Sequence, residues 1–417
     1  MNAQEAIAYI EDYTWSTTRL GLDRTRALLS ALGDPQRKLK FVHVTGSNGK
    51  GSTCAILDSI LRKAGYRTGL YTSPYLVRFN ERIKVNGRDI PDEALAAITS
   101  QVRVFADMME DHPSQFELVT AIAMEYFYEM QCDIVVLEVG MGGALDSTNA
   151  IDAPEAAVFT NIGLEHTEYL GNTIEEIATT KGGIIKPGCD CVVYPGPHEA
   201  TLRKICAEKN VPMTVADFSA AEPISHSLGG QTLRYNDKIL SLPLLGHHQI
   251  NNLCVALETV RVLKKRGWNI PTAAIESGVA SVSWPARFQV LSSDPLFILD
   301  GGHNPQCAEA MAEILDDYLP GTKVTFIMGV LADKDYNTML DSVCPHAARF
   351  ICLTPESPRA LPAAALADII RARGFEAAVC SSVSEAVDAA KEKTEPIVAF
   401  GSLYMSGAVL KYFEENG

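Results

Sequence analysis

Short apolar runs alternate with helical patterns through most of this chain. Phe41–Thr45 is rich in β-branched residues, and Cys54, Leu57, Leu61 and Ala64 then recur at helical spacing, so a strand is expected to turn into a helix between them. Thr68–Tyr71, Asp133–Val139, Ala156–Ile162 and Cys191–Tyr194 read as further strands separated by helical segments. That alternation predicts a mainly parallel sheet between helices. From Thr214 to Leu245 the pattern changes. SHSLGGQTLRYNDKILSLPLLG has turn signals at Gly229-Gly230 and Asn236-Asp237, which predict a small antiparallel patch.

Pro285 in SWPARF punctuates the chain, and a second strand-helix series follows it: Leu296–Asp300, Lys323–Gly329, Arg349–Thr354, Ala377–Cys380 and Ile397–Phe400. The expected fold is therefore α/β in two domains. Residues 1–284 would form a mainly parallel-sheet domain and residues 285–417 a smaller Rossmann-like α/β domain whose glycines do not spell a dinucleotide fingerprint. Bulk composition agrees, since 417 residues at 47% hydrophobic content exceed one ordinary core. There is no tandem repeat and no low-complexity tract.

The net charge of −15 argues against a general nucleic-acid binder, which needs a basic face for phosphate contacts. The start, MNAQEAIAYIEDYTW, has acidic residues and no basic or long apolar region, and no run reaches membrane-spanning length, so a cytoplasmic protein without a membrane partner is expected. The ten cysteines are scattered. Their one close pair, Cys189 and Cys191, matches neither a redox nor a zinc spacing, which leaves reduced, buried thiols as the expectation.

The turn after Phe41–Thr45 reads TGSNGKGST. Gly46, Gly49 and Gly51 let backbone N–H groups wrap an anion at a helix N-terminus, and Lys50 would reach the β and γ phosphates of a nucleotide. The loop departs from the usual phosphate-loop pattern. Val44 stands at the first glycine position and Gly51 follows Lys50, so the hydroxyls of Ser52 and Thr53 arrive late. These residues leave ATP and GTP undecided.

TGSNGKGST, TSPYLVRFNERI, FELVTA, LEVGMGGALDSTNAI, TNIGLEHTEYLG, KGGIIKPG, HHQINN, WPARFQ and LDGGHNP appear in that order. Together they resemble folylpolyglutamate synthase, often also dihydrofolate synthase, within the Mur ligase superfamily. The likeness runs from RLGLDR to GSLYMSG. It implies an ATP-dependent ligase that adds L-glutamate to a folate carboxylate through an acyl phosphate, acting on reduced folate, on dihydropteroate, or on both.

The resemblance also implies site residues. Gly49, Lys50, Gly51, Ser52, Asn252, Arg287, Asp300 and His303 would hold ATP, with Lys50, His166, Lys181 and Arg287 acting in catalysis. Ser73, Glu138 and His166 would bind Mg²⁺, whose preference for oxygen ligands suits a carboxylate, a hydroxyl and nucleotide phosphates. Lys181 matches a position carbamylated by CO₂ in the family, although the residue taken alone reads as an exposed ammonium. Leu20, Gly21, Phe116, Glu117, Leu145 and Asp146 would form the pterin slot, an apolar cleft with a few polar groups. Two departures bear on it: Ala144 stands where many members carry Arg, and Tyr75 where many carry His. His247 and His248 read as structural.

A cell-wall Mur ligase is the nearest rival, disfavoured because only about forty residues precede the loop, too few for an additional domain of ordinary size. A non-catalytic nucleotide-dependent switch would account for Lys50 and Ser52 but not for the second α/β domain. A monomer is expected.

Overall fold

The computed structural model describes residues 1–12 and 19–416. The chain divides into two compact units, Met1–Glu222 with Asn251–Val282, and Pro223–Ile250 with Ser283–Gly417. This differs from a division at residue 284 in one segment. Residues 223–250 belong with the second unit, because their apolar side chains join its core: Leu228 and Leu245 pack in one cluster with Phe288, Ile314 and Leu315. Contiguity along the sequence does not report which core a segment joins.

The first unit is built on an eight-stranded sheet. Its strands are β1 (Phe41–Thr45), β2 (Thr68–Tyr71), β3 (Ile83–Val85), β4 (Arg88–Asp89), β5 (Ile134–Glu138), β6 (Ala156–Phe159), β7 (Asp190–Val193) and β8 (Met213–Val215), in the order β4-β3-β2-β5-β1-β6-β7-β8. From β2 to β8 the pairings are parallel. The central strands β5, β1 and β6 are buried along their whole length, which is why they read as continuous apolar runs and not as alternation. β3 and β4 were not anticipated. They form a hairpin on Asn86-Gly87, both with positive φ, the dipeptide that two-residue hairpin turns favour. β8 takes up residues that the sequence pattern assigns to the antiparallel patch.

The helix Lys50–Lys63 leaves β1 and is buried on every side from Gly51 to Leu61. Such a helix cannot shift without breaking the core. Ser59 Oγ donates to Gly278 O of the helix Thr272–Ala280 at 2.7 Å, and buried Asp58 pairs with Arg62 at 2.7 Å.

In the second unit, β9 (Ala221–Ser227), β10 (Gly230–Tyr235) and β11 (Lys238–Leu242) make the predicted antiparallel patch, in the order β11-β10-β9. Buried Gln231 ties it down, donating to Leu244 O and Gly246 O and accepting from Tyr318 Oη. A six-stranded sheet follows, of β12 (Gln289–Ser293), β13 (Leu296–Asp300), β14 (Val324–Met328), β15 (Ala347–Cys352), β16 (Ala377–Val379) and β17 (Ile397–Phe400). Its order is β12-β13-β17-β14-β15-β16, parallel except for the unanticipated edge strand β12. All ten cysteines are free, and among the described residues no helix is long and apolar enough to cross a membrane.

Candidate active site

β1 ends at Thr45, and the next residues form a loop whose shape demands glycine. Gly46 has φ 153° and Gly49, the cap of the helix Lys50–Lys63, has φ 85°. A Cβ at Gly46 would overlap Thr160 Oγ1, and one at Gly49 would overlap the Asn252 carboxamide. Ser47 and Asn48 donate their N–H groups to Asn161 O at 2.7 and 3.4 Å. Lys50 Nζ folds back over the loop and donates to Gly46 O at 2.9 Å and Ser47 O at 3.1 Å. At the start of the same helix, Ser52 Oγ and Thr53 Oγ1 are buried without a hydrogen-bond partner, as is Asn161 Oδ1. A buried hydroxyl left unpaired costs roughly 1–3 kcal/mol, so a ligand oxygen delivered here would recover energy the protein alone forgoes.

A second ammonium meets the same loop. Lys181, at the end of the helix Ile174–Lys181, is 1% exposed and donates to Gly46 O at 3.0 Å and to Glu165 Oε1 at 3.1 Å. This corrects the plain expectation of a solvated lysine. Helical periodicity shows which residues share a face, but the loop that covers Lys181 comes from residues 135 positions away. Burial pulls the Lys181 ammonium down to about 8, against the upward pull of Glu165. Burial by itself raises the Glu165 carboxyl, yet Lys50, then Lys181 and His166, outweigh it and hold the group at about 2. Glu165 was absent from the sequence reading. Its adjacency to His166 in LEHTE was the available signal.

Glu138 closes β5 opposite Val44 of β1, so its carboxylate emerges beside the loop at the C-terminal edge of the parallel strands. It is buried and accepts the Ser73 N–H at 3.2 Å. His166 is exposed, with φ 47° at the cap of the short helix Thr167–Leu170. Among the described residues no three His, Cys, Asp or Glu groups are arranged to hold a metal by themselves. The chemistry of the donors fits Mg²⁺, which takes few protein ligands beside phosphate oxygens: a buried carboxylate at the loop and the unpaired hydroxyl of Ser52. Asn252 lies buried under the loop against Gly49.

In the second unit, Arg287 stands between Ala286 and Phe288, with φ of 53° and 42°. Left-handed backbone at residues with a Cβ costs roughly 1–2 kcal/mol each. Asp300, at the end of β13, holds this turn. Its carboxylate accepts the N–H of Phe288 at 2.8 Å and of Gly302 at 2.7 Å, while Gly301 N–H donates to Ala286 O at 3.0 Å. Gln289 Oε1 accepts the Ala286 N–H at 2.9 Å. Burial raises the Asp300 carboxyl and Arg287 opposes it. The resemblance implies Asp300 as an ATP contact; in the structure both of its oxygens serve the turn that carries Arg287. His303 is half-buried, with Nδ1 3.2 Å from Gly301 O. His248, beside Arg287, is pushed to about 4 by burial and then by that cation, which keeps it neutral.

The implied pterin residues separate into two kinds. Leu20 and Leu145 are 43% and 50% exposed, and Gly21 N–H reaches Leu145 O at 3.4 Å, so the two leucines sit on neighbouring backbone. Phe116 is half-buried against Gly140 and 6.0 Å from the Tyr71 ring. Glu117 and Asp146 are different. Glu117 is 1% exposed and its carboxylate is taken by Arg24, Thr25 Oγ1 and the Ser114 N–H. Asp146 accepts from Met141 N–H and from the N–H and hydroxyl of Thr148. Both carboxylates are buried and bonded within the protein, and in that way they build the walls. Of the two departures, Ala144 packs on Gly183, and Tyr75 donates to Glu11 at 3.0 Å.

A family model for the Mur ligase middle domain matches residues 44–260, and one for the Mur ligase, glutamate ligase domain matches 286–403. A folylpolyglutamate synthase from Lacticaseibacillus casei is 35% identical, covering 98% of each chain. The chain belongs to the folylpolyglutamate synthase family of Mur ligases. It is an ATP-dependent ligase of that family. A dihydrofolate synthase/folylpolyglutamate synthase from Bacillus subtilis is 33% identical over 97% of this chain and 99% of its own. Among solved structures, Escherichia coli FolC in complex with DHPP and ADP superposes with a TM-score of 0.87 at 30% identity, covering 100% of this ligase and 98% of that chain. Folylpolyglutamate synthase from Mycobacterium tuberculosis, complexed with ADP and AMPPCP, gives 0.89 at 30% identity and 99% of each chain.

Proposed function

We propose that this ligase joins L-glutamate to the carboxylate of a reduced folate, and of dihydropteroate, at the loop where Lys50 and Lys181 converge on Gly46 O. That convergence, with the unpaired Ser52 and Thr53 hydroxyls at the start of the helix that follows, is the observation that supports the reading. Arriving ATP would take Lys50 from the carbonyls of Gly46 and Ser47, and the ammonium would then carry the charge of the transferring phosphoryl group. Gly49, Gly51 and Ser52 line its path. Glu138 with the Ser52 hydroxyl, and by the resemblance Ser73 and His166, would hold Mg²⁺, which would neutralise phosphate charge when bound.

The substrate carboxylate attacks the γ-phosphate to give an acyl phosphate and ADP, and the glutamate amine then displaces phosphate to form the amide. Positioning dominates both steps. Lys181 would orient the acyl phosphate. Its amine, depressed to about 8, has a neutral fraction at pH 7 able to take up CO₂, which supports the proposed carbamylation. Arg287, on the turn that Asp300 holds, is the proposed second cation for the phosphoryl group, with Asn252 and His303 as the other proposed ATP contacts. Leu20, Gly21, Phe116 and Leu145 form the proposed pterin slot. The ligase is proposed to act as a monomer.

The test is phosphate release with Mg-ATP and L-glutamate in the presence of dihydropteroate, tetrahydrofolate or neither, with product mass measured. Activity with both acceptors is expected, and Lys50→Ala should abolish it with the thermal midpoint retained. Silence with both acceptors, or normal turnover by Lys50→Ala, would refute the assignment.

A further inference from the structure

Residues 19–22 lead into the helix Asp23–Ala31 without belonging to any strand or helix, yet Leu20 and Gly21 lie among the proposed pterin contacts. Something other than a backbone ladder must hold them. Besides the Gly21 N–H bond to Leu145 O, the central grip comes from the Arg24 guanidinium. Arg24 Nε donates to Glu117 Oε2 at 2.9 Å, Nη1 to Asp111 Oδ2 at 3.2 Å, and Nη2 to Arg19 O at 3.0 Å. The first two partners lie on the first turn of the helix Gln115–Glu129 and on the loop before it; the third is the main chain immediately before Leu20.

Arg19 strengthens the same clamp, pairing with Asp111 and donating to His112 O at 3.3 Å. Glu117 is itself immobilised, since its carboxylate also accepts the Ser114 N–H at 2.7 Å and Thr25 Oγ1 at 3.3 Å. The side chain of Arg24 is 14% exposed and that of Glu117 is 1% exposed, so the pair is screened little by solvent. The three bonds leave from three different nitrogens of a planar fork; a lysine ammonium, whose three donors radiate from one atom, cannot span Glu117, Asp111 and the Arg19 carbonyl together and would release at least one of them.

The geometry points to Arg24 as the positioning residue of the pterin slot, acting through Arg19 O to set Leu20 and Gly21 against Leu145. This inference rests on the slot assignment proposed above. It explains why Glu117 belongs to the slot without touching its occupant: the carboxylate anchors the guanidinium that anchors the wall.

The test is steady-state kinetics of Arg24→Lys and Leu20→Ala with dihydropteroate, ATP and L-glutamate each varied. Arg24→Lys should raise the dihydropteroate KM by roughly tenfold while the ATP KM and kcat stay within about twofold, a split that general destabilisation does not produce. Leu20→Ala should raise the same KM. If Leu20→Ala leaves it unchanged, the slot assignment fails; if Leu20→Ala raises it and Arg24→Lys does not, the positioning role fails. Should Arg24→Lys not fold, Glu117→Gln carries the same test, because it keeps the shape and its acceptor oxygen and removes the charge that holds the fork. An equal loss across all three substrates would overturn the inference.

Discussion

Lys181 makes the stability of this ligase depend on alkaline pH in a way that can be isolated. Its ammonium is pulled by burial from 10.5 to about 8 in the folded chain. A folded value below the unfolded one means the unfolded state binds more protons between those limits, so stability must rise with pH across that window. Below pH 8 both states carry the charge and the burial cost is fully present; above 10.5 neither does. Because Lys181 is 1% exposed, solvent screening removes little of the effect. At about 1.4 kcal/mol per unit, the relief between pH 7 and pH 10 is on the order of 2–3 kcal/mol. The perturbation is Lys181→Met, which removes the titrating group while Glu165, held at about 2 with Lys50 as its leading cation, stays ionised throughout.

Urea unfolding of wild type and variant at both pH values, in CO₂-depleted buffer, gives two differences, and subtracting one from the other cancels every other group, including Lys186, which burial also lowers to about 8. The wild type should gain roughly 2–3 kcal/mol relative to Lys181→Met. Parallel pH profiles would refute the burial argument or show that the amine is already carbamylated, and repeating the wild-type measurement after mass analysis separates the two.

Gly49→Ala should cut ATP turnover by roughly a hundredfold or more, since a side chain at φ 85° overlaps Asn252 and displaces the loop; near-normal turnover would disprove the close approach. Asp300→Asn presents an amide N–H₂ to one of two backbone donors, so it should cost roughly 1–3 kcal/mol in thermal unfolding and lower kcat by loosening the Arg287 turn. An unchanged midpoint would show that the turn holds itself. Arg266→Ala should cost roughly 1–2 kcal/mol, because Arg266 bridges Glu155 at 2.8 Å and Asp190 at 2.9 Å, and kinetics should be unchanged; a shifted KM would contradict a purely structural bridge.

Local information determined a good deal about this ligase. The strand, glycines and lysine of the phosphate loop lie within a dozen residues, so pattern and spacing alone place an anion site at a strand-helix turn. Leu296–Asp300 and Ile397–Phe400 are observed with the bounds their apolar runs suggest, because strands buried on both faces have no alternation to blur them. The hairpin on Asn86-Gly87 is equally local, but its strands, only three and two residues long, are too short to show a strand pattern.

What only the tertiary structure decided were the partners of charged side chains. Lys181 and Glu117 carry charges that sequence treats as exposed or ligand-facing, yet burial converts one into a second ammonium beneath the phosphate loop and the other into an anchor for Arg24. The physical reason is the same in each case. A charge is tolerated in the interior where other groups arrive to neutralise it, and for Lys181 at Gly46 O and for Glu117 at Arg24 that meeting is a property of the fold and not of any local stretch.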